Sequence, residues 1–256
     1  MTALLALIGL SLAPSPPQAM AEAERQYAAG VAARENGEVA RTHFAEAARL
    51  FDSMWANGIR NPDVAKNRAR SHRLAGNLPA AISSLHDGLA IARYDRELQV
   101  ELEEARDAVE YAHADMAAAC RPAPLRGIGT RMSPLEAFLI SGGLWFAACL
   151  CAARYAMTRV PGWWMAAVAS ASALALLGTL LALDHRRRAA AEERPLVIVN
   201  REQLLKSGNG DSWPDRLKWK LPAGAEAHEL GRRGGWIQIE LANGAAGWIP
   251  ESAAIR

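Results

Sequence analysis

The side chains able to do chemistry in this chain are dispersed. Its six histidines stand at positions 43, 72, 86, 113, 185 and 228. They fall in different segments, without a spacing such as His-Glu-x-x-His that would bring two imidazoles to one metal. The three cysteines form no Cys-x-x-Cys pair and no Cys/His ligand pattern. Cys149 and Cys151 lie two apart in an apolar run, so they point to different sides of any helix, and Cys120 has no mate. All three read as packing residues. Glu101, Glu103 and Glu104 read as a solvated helix face, whereas carboxylates acting as acid and base need an enclosing cleft. "SGNG" at 207–210 and "GIGT" at 127–130 carry glycines but no Gly-Lys-Ser/Thr ending to hold a phosphate, and there is no Gly-x-Ser-x-Gly turn. The expectation is a protein with no catalytic residue, no cofactor and no metal. Binding remains, and the tryptophans, seven of eight of which follow residue 144, are its natural candidates.

The elements that position those tryptophans change character along the 256 residues. The net charge of +2, with arginines scattered among carboxylates, argues against nucleic acid as a partner. At the start, an apolar core from Ala3 to Ala13 is too short to span a bilayer. Prolines follow it, and "AMA" at 19–21 offers small residues where a signal peptidase reads, so residues 1–21 are expected to be a signal peptide cut after Ala21. Residues 22–118 are rich in Ala, Arg and Glu, with turn signals only at "ENGE", "NGIRNP" and "AGNLP", which predicts helices joined by short turns. Ala40, Phe44 and Ala47 give a small–large–small spacing that returns at Ala81, Leu85 and Gly88, 41 residues later. Small residues let two antiparallel helices approach, and the large one fills the space between pairs. Leu98, Leu102, Ala105, Val109, Ala112 and Met116 then continue at spacings of four and three, which predicts a single amphipathic capping helix.

"CRPAPLRGIGTRMSP" is a Pro/Gly-rich stretch, and residues 119–133 are expected to be a linker. Two apolar runs follow, about 135–153 and 163–183 within 134–184, joined only by "RYAMTRVPG". About 20 apolar residues cross a bilayer, so the pair is expected to form a transmembrane hairpin with both flanking regions on one side. Trp145, Tyr155, Trp163 and Trp164 suit its interfaces. The export signal places those regions outside the cytoplasm, although "HRRR" in the basic linker 185–194 runs against the positive-inside tendency. From Pro195 the apolar period becomes two. "PLVIVN", "AGAEAHEL" and "WIQIEL" read as strands, "LLKSGNGDSWP" as a loop, and Asn243–Gly244 as a type I′ hairpin turn. Five short strands in 195–256 predict a small barrel. The fold class expected is multidomain α plus β.

The helical stretch resembles the tetratricopeptide (TPR) family, most closely over Asp63–Ala92, where "AGNLPAAISSLHDGLAIA" looks like the turn and second helix of a repeat. "LLKSGNG", "LPAGAEAHEL", "RGGWIQIEL" and "NGAAGWIP" resemble the bacterial SH3-like (SH3b) family over residues 196–256, with Lys206 where an arginine is usual. The order of parts is similar to the BatE-like TPR/SH3 membrane proteins of the Bacteroides aerotolerance (Bat) operon. That resemblance implies a scaffold in the bacterial inner membrane, acting beside von Willebrand A-domain membrane proteins and a MoxR-type ATPase; binding of peptidoglycan through the SH3b part is the alternative. In an SH3b module, aromatics beside variable loops make a shallow peptide groove. Trp213 and Lys206 are the expected loop contacts, and Trp236 and Trp248 are candidates better suited to packing. In the helical array a concave face would be lined by Tyr27, Arg34, Asn67, Arg70 and His72.

Overall fold

A computed structural model describes residues 16–122, 133–192 and 195–255. The described residues form eight α-helices and a seven-stranded antiparallel sheet. The chain divides into two compact units, 1–91 and 92–256.

The first unit contains α1 (Pro16–Ala32), α2 (Gly37–Ala56), α3 (Pro62–Leu74) and α4 (Leu78–Ile91), each packed on its neighbour in the chain. Asn36 and Asn61 cap α2 and α3 by accepting from the amides of Val39 and Val64. Both helices end in one motif. Gly58 and Gly76 adopt φ of +87° and +86°. The following amides donate back to Met54 and His72, which satisfies carbonyls that a helix end leaves open. The small–large–small residues Ala40, Phe44, Ala47, Ala81, Leu85 and Gly88 are all buried. Gly30 of α1 faces Phe44 so closely that an added Cβ would stand 2.8 Å from the ring. Helix α1 continues across Ala21, the expected cut, and Ala19 and Ala23 on either side are buried with Ala47, Phe51 and Met54. The expected signal core, Ala3–Ala13, lies outside the described residues.

In the second unit the capping helix expected through Met116 is instead two helices. α5 (Arg96–Asp107) stops, and α6 (Ala114–Cys120) follows after a short turn. The reason is tertiary. Met116, Ala119 and Cys120 enter the core of the sheet, with Tyr111 packed against them, and an unbroken helix could not deliver them there. The segment expected to close the helical array is therefore part of the β-module, and Cys120, expected to begin a linker, is a core residue. Burial pushes its thiol up to about 12, which leaves it protonated and unreactive at neutral pH.

α7 (Pro134–Thr158) and α8 (Pro161–Glu192) carry apolar stretches over Leu135–Thr158 and Pro161–Leu183, long enough to cross a membrane and almost entirely unburied within the protein. Glu136, the only acid of the first run, forms a capping box with Ser133 at the start of α7. Arg159, with φ of +57°, makes the turn between the helices, and Tyr155 and Trp164 meet across it at 5.8 Å.

The strands are β1 (Leu196–Val199), β2 (Gln203–Lys206), β3 (Asp215–Leu221), β4 (Glu226–Arg233), β5 (Trp236–Glu240), β6 (Ala246–Pro250) and β7 (Ala254–Ile255). Their order is β3-β2-β6-β5-β4-β1-β7, an open sheet with β3 and β7 at its edges, where five barrel strands were expected. Val197, Leu205, Leu221, Ile237, Ile239 and Ile249 form the core on one face. The two-residue hairpin with both φ positive, as type I′ requires, is Gly234–Gly235 (+59°, +77°), not Asn243–Gly244. There only Gly244 is left-handed, and the Asn243 side chain accepts from the amide of Ala245. Gly247 marks a close approach of β6 to β2. A Cβ there would lie 2.5 Å from Leu205 Cγ and 2.8 Å from the Lys206 carbonyl oxygen. Gly247→Ala is expected to destabilise the sheet by about 1–3 kcal/mol, as overpacking does, read as a lower guanidinium midpoint at unchanged slope.

Candidate functional site

The two faces of β5 and β6 separate packing from contact. Ile237, Ile239 and Ile249 point to the core, whereas Trp236, Gln238, Trp248 and Pro250 alternate with them on the other face, half-buried. Trp236 stands opposite Pro250, and Trp248 stands between Gln238 and Lys206. The two tryptophans, which the SH3b resemblance suits mainly to packing, are half-buried on this other face.

One end of this face is framed by two turns. The loop 207–214 is closed at its base by a 2.8 Å ion pair between Lys206 and Asp215. The amide and hydroxyl of Ser207 both donate to the Pro214 carbonyl, at 3.0 and 2.9 Å. Trp213 lies across Gly208, where any Cβ would collide with the indole, yet it remains 52% exposed. Asn209 reaches the β4–β5 turn, its amide nitrogen 4.0 Å from where a Cβ on Gly234 would stand. Trp236 follows that turn directly. The arrangement is an aromatic shelf of Trp236, Pro250 and Trp248 beside a rigid loop carrying Trp213. Lys206, expected as a contact, is mostly buried and held by Asp215, so its visible role is to fix the loop.

The helical candidates differ in burial and in what they touch. Tyr27 packs edge-on against Phe44 at 5.4 Å, and Arg34 lies exposed in the turn after α1. Asn67 is half-buried, its carbonyl accepting from the Ser71 hydroxyl, and Arg70 is half-buried. His72 is buried and meets the Asp52 carboxylate at 3.1 Å. A charge network that spacing did not reveal runs between α2, α3 and α4. Arg68 binds Asp52 and Asp87, and its guanidinium lies 5.6 Å from the centre of the Trp55 ring. Its members lie on three helices at no fixed interval, so only packing brings them together.

Burial raises the Asp52 carboxyl, but hydrogen bonds from His72 and Arg68 outweigh it and hold the carboxyl below its ordinary value. A carboxylate depressed by folding stabilises above its unfolded pKa of about 3.9, and loses that contribution as pH falls through the folded value. Asp52→Asn is expected to flatten the stability of the first unit between about pH 5 and pH 2, measured by thermal melts across that range. Among the described residues no group of three or more His, Cys, Asp or Glu is placed to hold a metal.

No protein-family model, curated protein or solved structure matches the chain.

Proposed function

We propose that the chain is a non-catalytic, two-pass membrane scaffold, with a TPR-like helical unit and an SH3b-like module that bind protein partners. The observation that carries this reading is the aromatic shelf beside the rigid loop, which offers half-exposed rings of low conformational entropy to an extended ligand. The repeated glycine-ended turns after α2 and α3 and the two sets of buried small–large–small residues support the TPR-like reading. The two Gly-Trp pairs on adjacent strands, Gly235–Trp236 and Gly247–Trp248, support the SH3b-like one. By resemblance, the partners are von Willebrand A-domain membrane proteins and a MoxR-type ATPase of a Bat-type complex.

The full-length protein in detergent is expected to retain a von Willebrand A-domain membrane protein, and Trp236→Ala to weaken that retention by about tenfold or more. Loss of all protein binding, with sedimentation on isolated cell wall, would instead identify a peptidoglycan anchor.

The export signal places both extramembrane units outside the cytoplasm of the bacterial inner membrane. A second orientation is favoured by helix α1, because cutting after Ala21 removes Ala19 and Met20 from a packed core. Arg126, Arg131 and Arg186–Arg188 also outnumber Arg154 and Arg159 of the turn, which the positive-inside tendency assigns to cytoplasmic flanks. Labelling of Asp211→Cys by a membrane-impermeant thiol reagent in spheroplasts decides between them: modification means outside, and protection means a cytoplasmic adaptor.

A further inference from the structure

Strand β3 ends the sheet, and nothing in the sheet pairs with its outer side. It is seven residues long, DRLKWKL, and its two faces differ sharply. Arg216, Lys218 and Lys220 are exposed, whereas Leu217 and Trp219 are half-buried against the core and Leu221 is buried. Among the described residues Arg216 and Lys218 make no ion pair, and Lys220 has only Glu202 at 3.9 Å with both side chains largely exposed. β3 pairs with β2 at Lys206–Asp215, Leu204–Lys220 and Gln203–Leu221, and the register shift between the first two leaves Arg216–Trp219 as a bulge off that ladder. With its outer side also unpaired in the sheet, β3 presents unused backbone groups to whatever lies alongside.

Its charge pattern selects among occupants. A second copy of the same edge, paired antiparallel about Lys218, would set Arg216 against Lys220 and Lys218 against itself. Like charges directly opposite destabilise a strand pair, so the edge rejects its own kind. A strand of alternating acidic and apolar residues has the opposite fit. Its carboxylates would face Arg216, Lys218 and Lys220, while its apolar side chains would extend the layer of Leu217 and Trp219.

We propose that β3 is a docking edge for an acidic, alternating peptide strand of a partner protein, added to the sheet by backbone pairing. This names a partner class for the scaffold reading and rests on it only for the existence of a protein partner; the surface is distinct from the Trp236 shelf.

The test uses full-length protein in nanodiscs and a fluorescent heptapeptide of alternating Glu and Val. Saturable binding is expected, weakened about fivefold by Lys218→Glu, since opposite-charge and like-charge cross-strand pairs differ by about 1 kcal/mol. The triple variant R216E/K218E/K220E should reject this peptide and accept its Lys-Val counterpart. Blocking alternate amides of the peptide by N-methylation should abolish binding, and Trp236→Ala should leave it unchanged. Equal binding of the N-methylated peptide, or indifference to charge reversal, overturns the proposal. So does absence of binding, which would leave the lysines as a guard against aggregation. Protection of β3 amides by anionic but not zwitterionic nanodiscs, with no peptide bound, also overturns it and assigns the edge to lipid headgroups.

Discussion

Arg106→Met is expected to destabilise the second unit by about 3–5 kcal/mol. Arg106 of α5 is 3% exposed and Glu226 of β4 is 2% exposed. The guanidinium grips the carboxylate with two bonds, Nε to Oε1 at 2.6 Å and Nη2 to Oε2 at 2.8 Å. Its third nitrogen donates to Glu103 at 2.7 Å, and Glu103 is held in turn by Arg121. Burial works against the charge on Arg106, but Glu226 and Glu103 outweigh it and hold the group more firmly protonated than usual. Methionine keeps much of the volume and leaves the Glu226 carboxylate buried without its counter-ion. Desolvation of that one charge accounts for most of the loss, so the double variant R106M/E226L should recover the greater part of it. Arg106→Lys should fall between, because an ammonium cannot reproduce the fork. Guanidinium unfolding of the full-length protein in detergent, followed by amide exchange in β1 and β4, reads these changes while α2 and α3 serve as an internal reference. A loss below about 1 kcal/mol for Arg106→Met, inside the range of surface pairs, would show that water reaches the pair.

That ion pair also marks where the sequence was readable and where it was not. The apolar runs of α7 and α8 are legible because length and hydropathy alone mark a helix long and apolar enough to cross a membrane. The helical turns at Gly58 and Gly76 were legible because the left-handed backbone there favours glycine. β5 is legible from strict alternation, yet alternation does not say which face is buried deepest, so Trp236 and Trp248 read as packing residues while Ile237, Ile239 and Ile249 fill the core. β3 was read past, although Leu217, Trp219 and Leu221 carry its period, because Gly and Asp dominate the residues before it. Period also misled at Leu98–Met116. A run spaced at fours and threes fits one long helix, and only the demand of the sheet for Met116, Ala119 and Cys120 breaks it. The partner of Arg106 lies 120 residues away, beyond any local pattern.

The same break predicts which pieces of the chain fold. Residues 195–256 expressed alone are expected to lack a cooperative thermal transition, and a single chain joining 92–122 to 195–256 through a flexible Gly/Ser linker is expected to regain one. Without α5 and α6 the sheet loses Met116, Ala119 and Cys120 from its core and exposes the apolar residues they cover. Glu226 loses Arg106, and the amide of Ala242 loses the Ala119 carbonyl that it meets at 2.9 Å. A β-module of about 60 residues has only a few kcal/mol of stability in reserve, which the loss of these core contacts is enough to exhaust. The complementary cut fails too: residues 22–118 would carry α5 without the sheet that buries Arg106. Circular dichroism melts and the dispersion of amide resonances distinguish the outcomes, and an isolated 195–256 melting within a few degrees of the linked form would refute the dependence. The two pieces flank the α7–α8 hairpin, so a bilayer crossed by both helices returns the chain to the side it left, and the module assembles from strand and helix delivered at the hairpin's two ends.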